Sequence, residues 1–252
     1  MAAIPALLIL SSDSDRLLSI DANGTVRAIP GLEDLAVADV AAGPAGQLFL
    51  ATRGLPGSLV RFDPATKVLH TVAAAQGGDE GLAALARSKD GTLYCSEYRH
   101  GRANVVAAYA ADGKFLGAKT ELSGFCGFAL SGSGEVVTPT FRASPAGVTL
   151  SRYGAAWADE EPRGIAVSED GLVAIALPES KCVVLTDLDG REKARLVHPD
   201  LKLPRGVCFH VAGLLVTCLK SNRVLRFELS SGAGSVLHKT PALGGPGRLL
   251  VA

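Results

Sequence analysis

Several signatures that would commit a chain to a particular partner are missing here. The 25 basic and 25 acidic residues cancel to a formal net charge of zero, so no general polyanion-binding field is built in. Aromatic residues make up 5% of the chain and Trp157 is its single tryptophan, which leaves few platforms for stacking the bases of single-stranded nucleic acid. No apolar run reaches the roughly 18 residues of a membrane helix. There is no Gly-x-Ser-x-Gly, no His-Glu-x-x-His and no phosphate loop. The five cysteines, Cys95, Cys126, Cys182, Cys208 and Cys218, are odd in number and show no CxxC spacing. They sit in apolar, strand-like stretches and read as buried free thiols in a reducing intracellular compartment, with a Cys208–Cys218 disulfide as the alternative. The apolar start, Met1 to Leu10, carries no basic residue and is followed by Asp13 and Asp15. It reads as a strand rather than a signal peptide, the signal segment being the minor alternative.

What the chain has in quantity is glycine, 29 in 252 residues, in a composition that is 48% hydrophobic and 20% charged. That balance excludes disorder. The glycines recur with a period. Pro162-Arg-Gly-Ile-Ala-Val-Ser-Glu-Asp-Gly171 aligns without a gap on Pro204-Arg-Gly-Val-Cys-Phe-His-Val-Ala-Gly213, 204 − 162 = 42 positions later. The register continues through Leu172–Leu177 over Leu214–Leu219 and Lys181–Leu185 over Arg223–Phe227. Looser copies open at Asp39, Ala84 and Gly127. Each copy holds three or four short apolar segments between Gly, Asp-Gly or Asn-Gly turns, and no sustained helical period occurs. Segments this short must bury their faces against neighbouring copies, which is the logic of a radial repeat. Since 252/42 = 6, six copies fill the chain.

The expectation is therefore an all-β, six-bladed β-propeller with four-stranded antiparallel blades in one domain, 1–252. The blades fall at about 1–30 with 246–252, then 31–78, 79–122, 123–160, 161–202 and 203–245. The first copy lacks an opening strand and the chain ends on one, so Leu249–Val251 should pair into the blade begun by Leu7–Leu10 and close the ring.

Pro162-Arg-Gly-Ile-Ala-Val with Asp170-Gly171, and Pro204-Arg-Gly-Val with Ser221-Asn-Arg-Val-Leu-Arg-Phe227, resemble NHL-repeat propellers. The match is good over roughly residues 162–232 and looser elsewhere. The superfamily so implied includes the gluconolactonase and senescence-marker-protein lactonases, strictosidine-synthase-like enzymes and paraoxonase-like enzymes, so the resemblance leaves function open. In the lactonases it implies a divalent metal held at the channel mouth by Glu, Asn and Asp on the inner strands. The matching positions here are Gly247, Ala38, Ala83, Cys126, Arg163 and Arg205. None is an oxygen ligand for a hard cation, and two are cations themselves. No metal and no cofactor is expected. An atypical site using Glu80, Glu97 or Glu179 stays open as the hydrolase alternative.

The same positions offer guanidiniums. Arg163 and Arg205 open neighbouring inner strands, Arg248 follows on the next blade and Asp39 on the one after. Loops between second and third strands are expected to bring Tyr98, Arg99, His100, Phe141 and Arg142 to the same face. Arginine forks bind carboxylates and phosphates in bidentate fashion. The expected role is non-catalytic binding of a protein partner or a small anionic ligand on this face, with Arg163 and Arg205 as anchors and Tyr98 and Phe141 as a cover. The alternatives are a lactonase- or esterase-like hydrolase, a structural subunit of a larger assembly, and arginines that serve only as repeat residues packing their stems. Nucleic acid is not an expected partner, because acids such as Glu33, Asp34, Asp79, Glu160 and Glu161 crowd the outer loops.

Overall fold

A computed structural model describes residues 7–21, 23–54, 56–76, 81–98, 103–122, 127–153, 157, 160–211 and 213–251. In chain order the strands are β1 (Leu7–Ser11), β2 (Arg16–Ile20) and β3 (Val26–Ala28). Then come β4 (Val37–Ala42), β5 (Leu48–Thr52), β6 (Ser58–Asp63) and β7 (Val68–Ala74). The third group is β8 (Leu82–Arg87), β9 (Leu93–Glu97), β10 (Asn104–Tyr109) and β11 (Phe115–Leu122). The fourth is β12 (Ala129–Leu130), β13 (Val136–Val137), β14 (Phe141–Ala143) and β15 (Thr149–Arg152). The fifth is β16 (Ile165–Val167), β17 (Val173–Leu177), β18 (Cys182–Thr186) and β19 (Glu192–Val197). The sixth is β20 (Pro204–His210), β21 (Gly213–Cys218), β22 (Arg223–Phe227) and β23 (Gly234–Lys239), and β24 (Pro246–Val251) ends the series.

These strands form six four-stranded antiparallel sheets, five of them sequential and the sixth in the order β24-β1-β2-β3. The last strand is thus the innermost strand of the first blade. Leu7 pairs with Val251, Leu8 with Leu250, Ile9 with Leu249 and Ser11 with Pro246. Beyond the ladder, Ser12 and Asp13 donate their N–H groups to the carbonyls of Gly245 and Gly244, both at 3.0 Å. Among the described residues no helix is long and apolar enough to cross a membrane.

The strand patterns follow from position in the ring. Second strands such as Leu48–Thr52 and Val173–Leu177 are buried at every residue, because sheets stack on both their faces; they read as continuous apolar runs rather than alternating ones. Fourth strands such as Glu192–Val197 are largely exposed. Six buried apolar clusters occupy the six gaps between neighbouring blades. One joins Phe49 and Leu59 to Leu85, Leu93 and Tyr109, and another, between the last blade and the first, joins Leu215 and Val224 to Ile9 and Leu249. The turns between third and fourth strands are closed by Asp21, Asp63, Asp112 and Asp187 in four blades and by Ser144 and Ser231 in the other two. The Asp187 carboxylate accepts from the N–H groups of Asp189 (3.0 Å) and Arg191 (2.9 Å), ahead of Gly190 at φ +78°.

The glycine after each Pro-Arg has a packing cause. A Cβ on Gly164 would lie 2.1 Å from the Arg205 carbonyl, and one on Gly206 would lie 2.3 Å from the Gly247 carbonyl and 2.8 Å from Thr217 Oγ1. Inner strands converge on the axis here, backbone against backbone. The Thr217 hydroxyl fixes that approach, accepting from Gly206 N–H at 2.8 Å and donating to the Gly247 carbonyl. Gly206→Ala should therefore cost about 2–3 kcal/mol by overpacking and lower the melting temperature by roughly 5–10 °C. A thermal melt unchanged from the wild type would contradict this account of the repeat.

Candidate functional site

The inner strands start at one face of the ring, and their first residues line a cavity of about 260 Å³ at the channel mouth. Its walls include Ala38, Ala83, Arg163, Arg205 and Gly247, five of the six positions that match metal-ligand positions in the lactonase pattern. The sixth, Cys126, lies outside the described residues. Arg248 and Asp39 line the same cavity, and so does Arg53. The mouth therefore gathers four guanidiniums and one carboxylate.

The four arginines differ in how they are satisfied. Arg163 is held by the exposed rim carboxylate of Glu161, at 2.5 Å. Arg53 pairs with Asp15 at 3.3 Å. Arg248 points its Nε at Asp39, 3.4 Å away. Arg205 is half-buried, and among the described residues its side chain makes no hydrogen bond and no ion pair. Burial, reinforced by the positive fields of Arg163 and Arg53, holds the Arg205 guanidinium below the usual arginine range against the opposing pull of Asp15. An arginine does not release its proton in a protein, so this is an unmet demand for negative charge.

Asp39 plays a different part from the one its position in the sequence suggests. Its carboxylate is buried and accepts from the N–H groups of Val40 at 2.8 Å and Leu85 at 2.7 Å, besides meeting Arg248. It ties β4 to β8 of the next blade and to β24 of the preceding one. Burial pushes its pKa up, against Arg248 and the two N–H groups. It is an internal tie with little reach toward a ligand.

The loop residues divide. Tyr98 is exposed where the chain leaves β9, its N–H bonded to the Gly81 carbonyl at 3.0 Å, and it does not line the cavity. Arg99 and His100 lie outside the described residues. Phe141 is not a cover: it is buried between blades three and four with Tyr94, Val106 and Phe128. The reason is that β14 begins at Phe141, which makes it a strand residue. Arg142 is also displaced from the mouth. It lies within β14 and pairs with Glu135 at 3.4 Å and Asp189 at 3.1 Å, both in turns at the opposite end of the sheets. Arg53 is the mouth residue the sequence reading missed. Its signal was available, since it follows β5 just as Tyr98 follows β9.

Among the described residues no group of three or more His, Cys, Asp or Glu side chains is placed to hold a metal ion. No protein-family model matches the chain and no curated protein sequence does. Solved structures do match over nearly its whole length. A protein of unknown function from Bacteroides caccae superposes with a TM-score of 0.71 at 14% identity, covering 97% of this chain and 98% of that one. Virginiamycin B lyase from Staphylococcus aureus gives 0.72 at 12% identity, over 98% and 88%. The periplasmic gluconolactonase of Pseudomonas aeruginosa gives 0.62 at 16% identity, over 99% of both chains. At such identities the likeness is one of fold alone, and the chain, by its own six four-stranded sheets, is a six-bladed β-propeller.

Proposed function

We propose that the propeller binds a small multivalent anion, or the acidic side chain of a protein partner, at its arginine-lined mouth, and that this binding is its function rather than catalysis. The observation that carries the reading is Arg205: a half-buried guanidinium that makes no hydrogen bond and no ion pair among the described residues, flanked by Arg163 and Arg53. A carboxylate or phosphate there gains charge-assisted hydrogen bonds from a planar fork in a recessed, partly desolvated site. The rigid ring supports this by fixing the guanidiniums before the ligand arrives. Glu161 occupies Arg163 in the absence of an anion and acts as its competitor. The four described cysteines are free, so Cys208 and Cys218 form no disulfide.

Citrate and inorganic phosphate, titrated calorimetrically at low salt, are the probes. Each charge-assisted hydrogen bond lost is worth about 1.5–3 kcal/mol, so Arg163→Ala/Arg205→Ala should weaken citrate about 100-fold or more while the protein still folds. Glu161→Gln should tighten it several-fold by freeing Arg163. Citrate affinity unchanged in the double variant rejects the site. Lactone or ester turnover by the wild type that the double variant loses rejects the non-catalytic reading.

A further inference from the structure

Below the arginine mouth the axis of the ring opens into a second cavity, of about 470 Å³. All six inner strands line it, with Leu130, Val167, Phe209 and Leu250 partly exposed on its wall and Val40 and Leu85 backing it from the buried cores between blades. Arg248 lines both cavities and stands between them. At the far end, where the inner strands turn into the second strands, the wall ends in Arg87, Ser88 and Lys89. No carboxylate is among the described residues that line this cavity.

We propose that this lower channel is a second binding site, independent of the mouth, which takes a medium-chain aliphatic carboxylate tail-first. The volume falls within the range of small-molecule sites, roughly 300–1,000 Å³, and apolar walls with a few polar groups are the usual build of such sites. The lining covers three residues of each of β4, β16 and β20, a depth of roughly 10 Å at the rise of a strand. Zigzag bonds of about 1.5 Å advance an extended chain by about 1.25 Å each, so the nine alkyl carbons of decanoate, eight bonds, span roughly that depth when the carboxylate stays outside.

The rim gives the polarity. The Nε of Arg87 is buried and has no hydrogen-bond partner. Among the described residues neither Arg87 nor Lys89 enters an ion pair. The neighbouring carboxylate, Asp90, is taken by the Ser88 hydroxyl at 2.5 Å and the Thr92 N–H at 3.1 Å. Arg248, at the inner end, is paired with Asp39. The available positive charge is at the opening, so the carboxylate stays at the rim and the alkyl chain fills the channel.

The probes are decanoate, hexanoate and decanol, titrated calorimetrically below their aggregation limits. Decanoate should bind saturably with one site per chain, and hexanoate at least tenfold more weakly because it buries fewer methylenes. Arg87→Ala/Lys89→Ala should weaken decanoate at least tenfold while decanol changes less than about threefold. Lys89→Glu, at an exposed turn position, serves if the double variant does not fold, and should weaken decanoate in the same direction. Arg163→Ala/Arg205→Ala should leave decanoate binding intact. The proposal is overturned by absence of saturable decanoate binding, by rim variants that bind it as the wild type does, or by loss of binding in the mouth variant, which would place the carboxylate at the other end.

Discussion

Removal of residues 246–252 is expected to abolish cooperative thermal unfolding and to leave a protein that aggregates. β24 is the innermost strand of its blade, and β1 beside it is buried at every residue. Without β24 the apolar Leu7-Leu-Ile-Leu-Ser11 becomes an open inner edge, which is a template for pairing with other chains. The gap between the last blade and the first loses Leu249 from its core, and Asp39 loses Arg248. A ring differs from an open array here, because loosening one joint frees both blades that flank it. The pairing also predicts its own rescue. Leu7 lies opposite Val251 in an antiparallel ladder, so moving 246–251 to a position just ahead of β1 makes the two strands an ordinary hairpin. That permutant should melt cooperatively within a few degrees of the wild type. A truncated protein with the wild-type melting curve would contradict the closure.

Asp39→Ala should be the most damaging single substitution at the channel mouth, at about 3 kcal/mol. Two costs make up that figure. The Leu85 N–H is left buried without an acceptor, worth about 1–3 kcal/mol. Arg248 is left without its counter-charge, which costs less than the 3–5 kcal/mol of a fully buried pair because its side chain is 22% exposed. The melting temperature should fall by roughly 6–12 °C. Asp39→Asn should also destabilise, since its amide presents a donor to either Leu85 N–H or Arg248. Chemical denaturation of the two variants measures this. A cost below about 1 kcal/mol for Asp39→Ala would mean that the three blades meeting there do not depend on the tie.

The architecture was legible because its causes are local and repeated. Gly127, Gly164 and Gly206 mark points where inner strands meet backbone to backbone, aspartate closes most of the outer hairpins, and largely apolar second strands announce burial on both faces. The clustering of Arg163, Arg205 and Arg248 was legible for the same reason: the repeat register alone places equivalent positions around one axis. The errors arose where side-chain fate depends on a neighbour far along the chain. Nothing near Asp39 in sequence shows that its acceptor duty is to Leu85, on the next blade. The sequence places Phe141 and Arg142 in a loop because blade four has the shortest strands, β12 and β13 holding two residues each. There a displacement of one residue turns a side chain from one face of the sheet to the other. Arg53 is hard to place from sequence because its copy of the repeat is among the looser ones.

Arg205 makes no ion pair among the described residues, and its proposed role is to recruit an anion. Diffraction from crystals soaked in a few millimolar selenate, with anomalous data at the selenium edge, tests it directly. The account predicts a peak at the channel mouth, with selenate oxygens about 2.7–3.1 Å from the Arg205 guanidinium and Glu161 displaced from Arg163. A mouth without anomalous density, with selenate bound only at outer loops, would contradict it.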